Sequence, residues 1–188
     1  MKLNITNSQL DEAAQFALRL ANSDDPSRER NDRLTEYEIA EPLLRAFLSH
    51  DEDVMPLAGE VTGFRDLLRK NLLLTARGNE ASAVFESTLS EFLAVPWRAG
   101  RGSAKDAIIS YSPNGSAIEQ VHAWAALGYF AILEKDRQRF KICQAAPCEE
   151  LYFDETKPGR QRFCCKRCAN RFNVAQYRSR RSTSCQNW

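Results

Sequence analysis

Every cysteine in the chain lies within its last 46 residues: Cys143, Cys148, Cys164, Cys165, Cys168 and Cys185. Two close pairs stand out, Cys143-x4-Cys148 and, fifteen residues on, Cys164-x3-Cys168, with Cys165 offering the second pair a two-residue gap instead. Zn2+ takes four ligands in a tetrahedron, and two tight turns that each present two thiols supply them. The apolar run Leu151-Tyr152-Phe153 between the pairs needs burial. A segment this short buries too little surface to fold without a metal or another staple. The expected order is a knuckle, a hairpin, a second knuckle and a helix, a treble-clef arrangement. The hairpin is expected to pair Leu151-Tyr152-Phe153 with Arg162-Phe163 across Lys157-Pro158-Gly159. The helix is expected over residues 168–181.

Disulfides are the competing use of six cysteines, and they belong to oxidising compartments. The start of the chain, Met1-Lys2-Leu3-Asn4-Ile5-Thr6-Asn7, turns polar within a few residues and does not read as a secretory signal. The most apolar stretch, residues 123–133, is too short to span a bilayer. The expectation is a cytoplasmic protein with no membrane partner, its thiols metal-bound or free.

Before the cysteines the texture is that of a soluble globular domain; the whole chain is 43% hydrophobic and 27% charged. Ser8 and Asp11 form a candidate capping box for a helix reaching about Asn22. Further helices are expected at about 35–50, with Pro42 inside, and at 61–76, 80–94 and 116–135. Residues 98–106 read as a loop, and 107–112 as a strand before the Pro113-Asn114-Gly115 turn. The fold class expected is therefore α+β, a mostly helical domain over 1–136 followed by a zinc finger over 137–188. No Gly-rich phosphate loop, nucleophile elbow or His-Glu metal motif occurs, so no enzyme is expected. His122 reads as a satisfied core or boundary histidine, and His50-Asp51-Glu52-Asp53 as a solvated helix end and loop.

The segment Arg139-Phe140-Lys141-Ile142-Cys143 … Cys148 … Leu151-Tyr152-Phe153-Asp154 … Arg160-Gln161-Arg162-Phe163-Cys164 … Cys168-Ala169-Asn170-Arg171 … Tyr177-Arg178-Ser179-Arg180-Arg181 resembles the CGNR zinc finger. That family's aromatic-Cys-Ser falls on Phe163-Cys164-Cys165, which makes Cys164 the ligand. The implied Zn2+ set is then Cys143, Cys148, Cys164 and Cys168. Ala169 stands where the family usually has Gly, a change that asks only for helical backbone. In that family the finger follows a helical α/β domain called ABATE, and the region before residue 137 is similar in helical texture and position. The resemblance implies a stress-induced, DNA-binding transcription regulator.

Charge is distributed in the same sense. The net charge is only +1, but nine Lys and Arg residues and no acid follow Glu155, leaving 17 basic against 25 acidic residues in 1–156. A basic end of this kind suggests an anionic partner. On the expected helix Cys168, Phe172, Ala175 and Ser179 share the face that would pack on the zinc site. Arg167, Arg171, Arg178 and Arg181 form a neighbouring stripe, flanked on the other side by Asn173, Gln176 and Arg180. Arginine suits phosphate or guanine and Asn or Gln suits adenine, so these seven are the candidate nucleic-acid contacts. The competing expectation is an adaptor, its finger docked on an acidic protein surface or on the acidic part of its own chain.

Overall fold

A computed structural model describes residues 5–24, 32–101 and 109–184. Helix α1 (Asn7–Ala21) starts from Thr6, whose hydroxyl accepts the Gln9 N–H at 3.3 Å while the Gln9 side chain accepts the Thr6 N–H. The box thus lies two residues before the expected one. Ser8 falls inside the first turn, where its hydroxyl turns to Glu12 at 3.4 Å. Helix α2 (Tyr37–Leu44) is shorter than expected. Pro42 offers no N–H to the Glu38 carbonyl, and the helix gives way to a 3-10 turn at Arg45–Phe47.

Helix α3 (Val54–Ala76) is longer than expected. Asp53 caps it by accepting the Met55 N–H at 3.0 Å, and Pro56 sits in the first turn, where no N–H is needed. Val54, Leu57 and Ala58 are buried, so the apolar stripe simply begins about two turns before Val61. Helix α4 (Ala83–Leu93) follows, then an antiparallel pair, β1 (Trp97–Arg101) and β2 (Ile109–Pro113), with Trp97 opposite Pro113. The start of the expected 98–106 loop is therefore strand; residues 102–108 fall outside the described ones. Helix α5 (Ala117–Glu134) is capped by Ser116 and Glu119.

Helices α1, α3 and α5 build the core, with Leu20, Leu68, Leu72, Val121, Tyr129 and Ile132 fully buried. The tightest approach is α1 on α5. A Cβ at Gly128 would meet the Ala13 carbonyl oxygen and come within 2.8 Å of the Ala17 Cβ, so glycine and the α1 alanines let the backbones touch. Half-buried His122 lies at the boundary of the core, between the rings of Phe64 and Phe92 at 4.5 and 4.6 Å. Its buried Nε2 has no partner among the described residues, and burial holds its pKa below the ordinary histidine value. Of the acidic run near His50, Asp53 is spent as the α3 cap and Glu52 accepts the Ser49 N–H at 2.7 Å. No helix among the described residues is long and apolar enough to cross a membrane.

Strands β3 (Phe140–Ile142) and β4 (Leu151–Phe153) pair antiparallel, Phe140 opposite Phe153 and Ile142 opposite Leu151. This overturns the expected pairing of 151–153 with 162–163. The Cys143 N–H donates to the Glu150 carbonyl at 2.9 Å, so the first cysteine pair occupies the hairpin turn itself. Phe140 and Leu151 are buried in the helical core, which settles the choice of partner strand. Helix α6 (Lys166–Ser184) closes the described chain and makes no substantial contact with another helix or strand.

Candidate metal centre

The hairpin turn carries Cys143 and Cys148, and the first turn of α6 brings Cys168 back to Cys164 just before it. The four sulfurs lie within 4.8 Å of one another. Cys148 and Cys164 are 3.9 Å apart, and Cys164 and Cys168 are 3.6 Å apart. A tetrahedron with Zn–S bonds of about 2.3 Å has sulfur–sulfur edges of about 3.8 Å. The chemistry matches as well as the geometry. All four donors are soft thiols, no carboxylate or imidazole joins the cluster among the described residues, and three of the four residues are buried. The cluster fits Zn2+. Cys165 is exposed and its sulfur is not one of the four, while Cys185 falls outside the described residues.

Three of the four thiols, those of Cys148, Cys164 and Cys168, resist ionisation without a cation. Burial and the neighbouring Cys168 push the Cys164 thiol far up, and burial does the same to Cys168. Burial also opposes the Cys143 thiolate, but N–H groups of Cys164 and Ala145 directed at its sulfur outweigh that and hold it below the ordinary thiol range. A dication at the centre would favour the deprotonated set.

Asp154 organises the loop between the two pairs. It is 1% exposed and accepts from Lys141 Nζ at 2.6 Å, from the Gln161 N–H at 2.7 Å and from the Thr156 N–H at 3.0 Å. Burial opposes its charge, yet the Lys141 ammonium, the Thr156 hydroxyl and the two N–H groups hold the carboxyl well below the usual range. Lys141 Nζ also donates to the Gly159 carbonyl at 2.7 Å. Burial pushes Tyr152 up to about 12, so its phenol stays neutral and donates to the Gln161 carbonyl at 3.0 Å. The segment is thereby tied to β3 and β4 before it delivers Cys164.

The finger is also fastened to the helical core. The Asn22 side chain, just past α1, donates to the Leu151 carbonyl at 2.8 Å and accepts the Leu151 N–H at 3.0 Å. Arg69 on α3, almost fully buried, pairs with Asp24 at 3.2 Å and donates to the Glu149 carbonyl at 3.3 Å. Neither tie was foreseeable, because each partner lies some eighty or more residues away and no local pattern marks it. Asp154 was visible as the residue after the apolar run, with no role attached.

The seven candidate nucleic-acid contacts do not behave alike. Arg167, Asn173, Gln176, Arg178, Arg180 and Arg181 are exposed on α6. Arg171 is exposed as well, but its Nη2 turns back, donating to the Ala145 carbonyl at 2.8 Å and lying 3.5 Å from the Cys168 sulfur. The packed ridge is shorter than expected too: Cys168 is buried and Phe172 half-buried, but Ala175 and Ser179 are exposed. The small core around the cysteines covers only the first turns of the helix. Arg181 is braced by Tyr177, with its Nη1 3.3 Å from the phenol oxygen.

Residues 139–181 match the family model of the CGNR zinc finger. No curated protein matches the chain.

Proposed function

We propose that this zinc finger docks on DNA through the exposed face of α6, and that the chain is a transcription regulator whose helical part senses a signal or assembles. One observation carries the reading. From Asn173 to Arg181 every residue of α6 is exposed, and the helix presents Arg178, Arg180 and Arg181 with no carboxylate among them. Arginine forks on a rigid helix suit phosphate and guanine, and Asn173 and Gln176 suit adenine. Zn2+ held by four thiolates has no coordination position left for water or substrate, so its role is structural. The choice of DNA over RNA and the link to stress rest on the family resemblance.

The test is fluorescence anisotropy of full-length, zinc-loaded protein with duplex DNA across a salt series. The reading expects affinity that falls steeply with salt, the slope dropping by about 0.9 for each phosphate contact removed by Arg178→Gln or Arg180→Gln. Salt-independent binding, or none, rejects it.

A second reading is favoured by two apolar side chains on the same helix. Val174 is 48% exposed and Tyr177 60% exposed, which suits a protein partner. A partner held there would be lost on Val174→Ser with DNA binding intact. Docking of α6 on the acidic part of its own chain is not what supports this reading, since residues 173–181 stand clear of it.

A further inference from the structure

The exposed Arg162 side chain is held by two aromatic rings and one hydrogen bond. Its guanidinium carbon lies 5.4 Å from the centroid of the Phe163 ring and 5.2 Å from that of Phe172, and the two rings are 5.1 Å apart. Its Nε–H donates to Gln144 Oε1 at 2.8 Å, and its carbonyl accepts the Gln144 N–H at 3.1 Å. Stacking and the Nε bond restrict the side chain, so less rotamer freedom remains to be lost when a ligand is gripped. Neither Nη atom has a hydrogen-bond or ion-pair partner among the described residues.

Arg162 lines a cleft of about 470 Å³ together with Arg160, Phe163 and Lys166. No carboxylate lines it among the described residues. Arg160 and Lys166 are exposed and have no acidic partner among the described residues. Three cations around one cleft, one of them pre-aimed, repel each other until an anion arrives. A planar fork flanked by two further cations fits a phosphate oxygen pair. The cleft adjoins the first turn of α6 through Lys166 and Ala169, so a strand crossing it continues along the face that carries Asn173 and Arg180.

We propose that Arg160, Arg162 and Lys166 form a subsite that grips one backbone phosphate of duplex DNA while the adjoining duplex lies on α6. This rests on the DNA reading above and extends the contact from the helix to the loop before it.

The experiment is a salt series of duplex DNA binding by full-length, zinc-loaded protein, with zinc content measured on every variant. The variants are Arg162→Gln, the double variant Arg160→Gln/Lys166→Gln, and Arg19→Gln as an exposed cation on α1, outside both the cleft and α6. Loss of one phosphate contact lowers the slope of log K against log salt by about 0.9. That drop is expected for Arg162→Gln and for the double variant, equally on unrelated duplex sequences, and not for Arg19→Gln. The double variant alters only exposed side chains, so it decides the matter if Arg162→Gln loosens the Phe163–Phe172 pair and releases zinc. Parent slope and affinity in the zinc-retaining double variant, with binding still weakened by Arg178→Gln, overturn the subsite and leave the α6 reading intact. Absence of duplex binding by the parent overturns both. Weakened binding to polyglutamate with unchanged duplex binding also overturns the subsite, assigning the cleft to an acidic protein.

Discussion

Asn22 lies 129 residues before Leu151, yet its side-chain amide satisfies both main-chain groups of that residue, at 2.8 and 3.0 Å. One amide thus completes the outer edge of β4 and clips the metal-bearing hairpin to the end of α1. A residue outside the finger therefore bears directly on the strand that follows its first cysteine pair.

Asn22→Ala leaves the Leu151 N–H and carbonyl without these partners. A lost partner to a buried group costs about 1–3 kcal/mol, so the urea midpoint of the zinc-loaded protein is expected to fall accordingly. Asn22→Asp keeps the acceptor but loses the donor, and is expected to fall between the two. An unchanged midpoint in Asn22→Ala would show that the clip contributes nothing.

The zinc ligand assignment separates two adjacent thiols. Native mass spectrometry is expected to find one zinc per chain in the parent and in Cys165→Ser, and none in Cys164→Ser. Cys164 lies 3.6 Å from the Cys168 sulfur, whereas Cys165 is exposed. Zinc lost only with Cys165 would reverse the assignment.

Asp154→Asn removes the charge that holds Lys141 and weakens the loop ahead of Cys164. Loss of a partner that orients metal ligands typically lowers affinity by about 10–100-fold, and the low end is expected because Asp154 acts through the loop. Competition with a chromophoric chelator reads this directly.

Gly128→Ala places a methyl group against the Ala13 carbonyl and Ala17. Backbone cannot yield as a side-chain tip can. The thermal midpoint is expected to fall by an amount equivalent to about 1–3 kcal/mol or more, with far-ultraviolet circular dichroism retained below it.

His122 gives the helical core a pH dependence of definite sign. Burial lowers its folded pKa below the ordinary value, so the unfolded chain takes up the proton more readily. The histidine-linked stability is complete above the unfolded pKa of about 6.5 and declines as pH falls from there toward the lower folded value. Acid release of zinc is common to parent and variant. The difference in urea midpoint between parent and His122→Phe isolates the histidine, and it is expected to change between pH 7.5 and 5.

The local devices of this fold were legible in the chain to varying degrees. Helix α5 (Ala117–Glu134) lies within a residue of the expected 116–135, although the Ser116 and Glu119 capping box that starts it was not read from the chain. The apolar stripes of α3 and α4 appear as helices, though α3 reaches back to Asp53 because a proline at its first turn does not break a helix. The α1 box moved to Thr6 because two similar polar patterns overlap there, and only the backbone decides which residue stays extended.

Spacing and thiol chemistry alone were enough for a zinc site near the C-terminus, and the sulfur geometry agrees with them. Adjacent Cys164 and Cys165 were equivalent by spacing; the direction in which the chain enters α6 turns one sulfur inward and leaves the other exposed. The strand partner of Leu151, the withdrawal of Arg171 toward Ala145 and the stacking of Arg162 were decided only in three dimensions. Periodicity records which side of an element is apolar, because that follows from neighbours a few residues apart. Which distant segment meets that side depends on how the core of α1, α3 and α5 packs, and that information resides in no short stretch of chain.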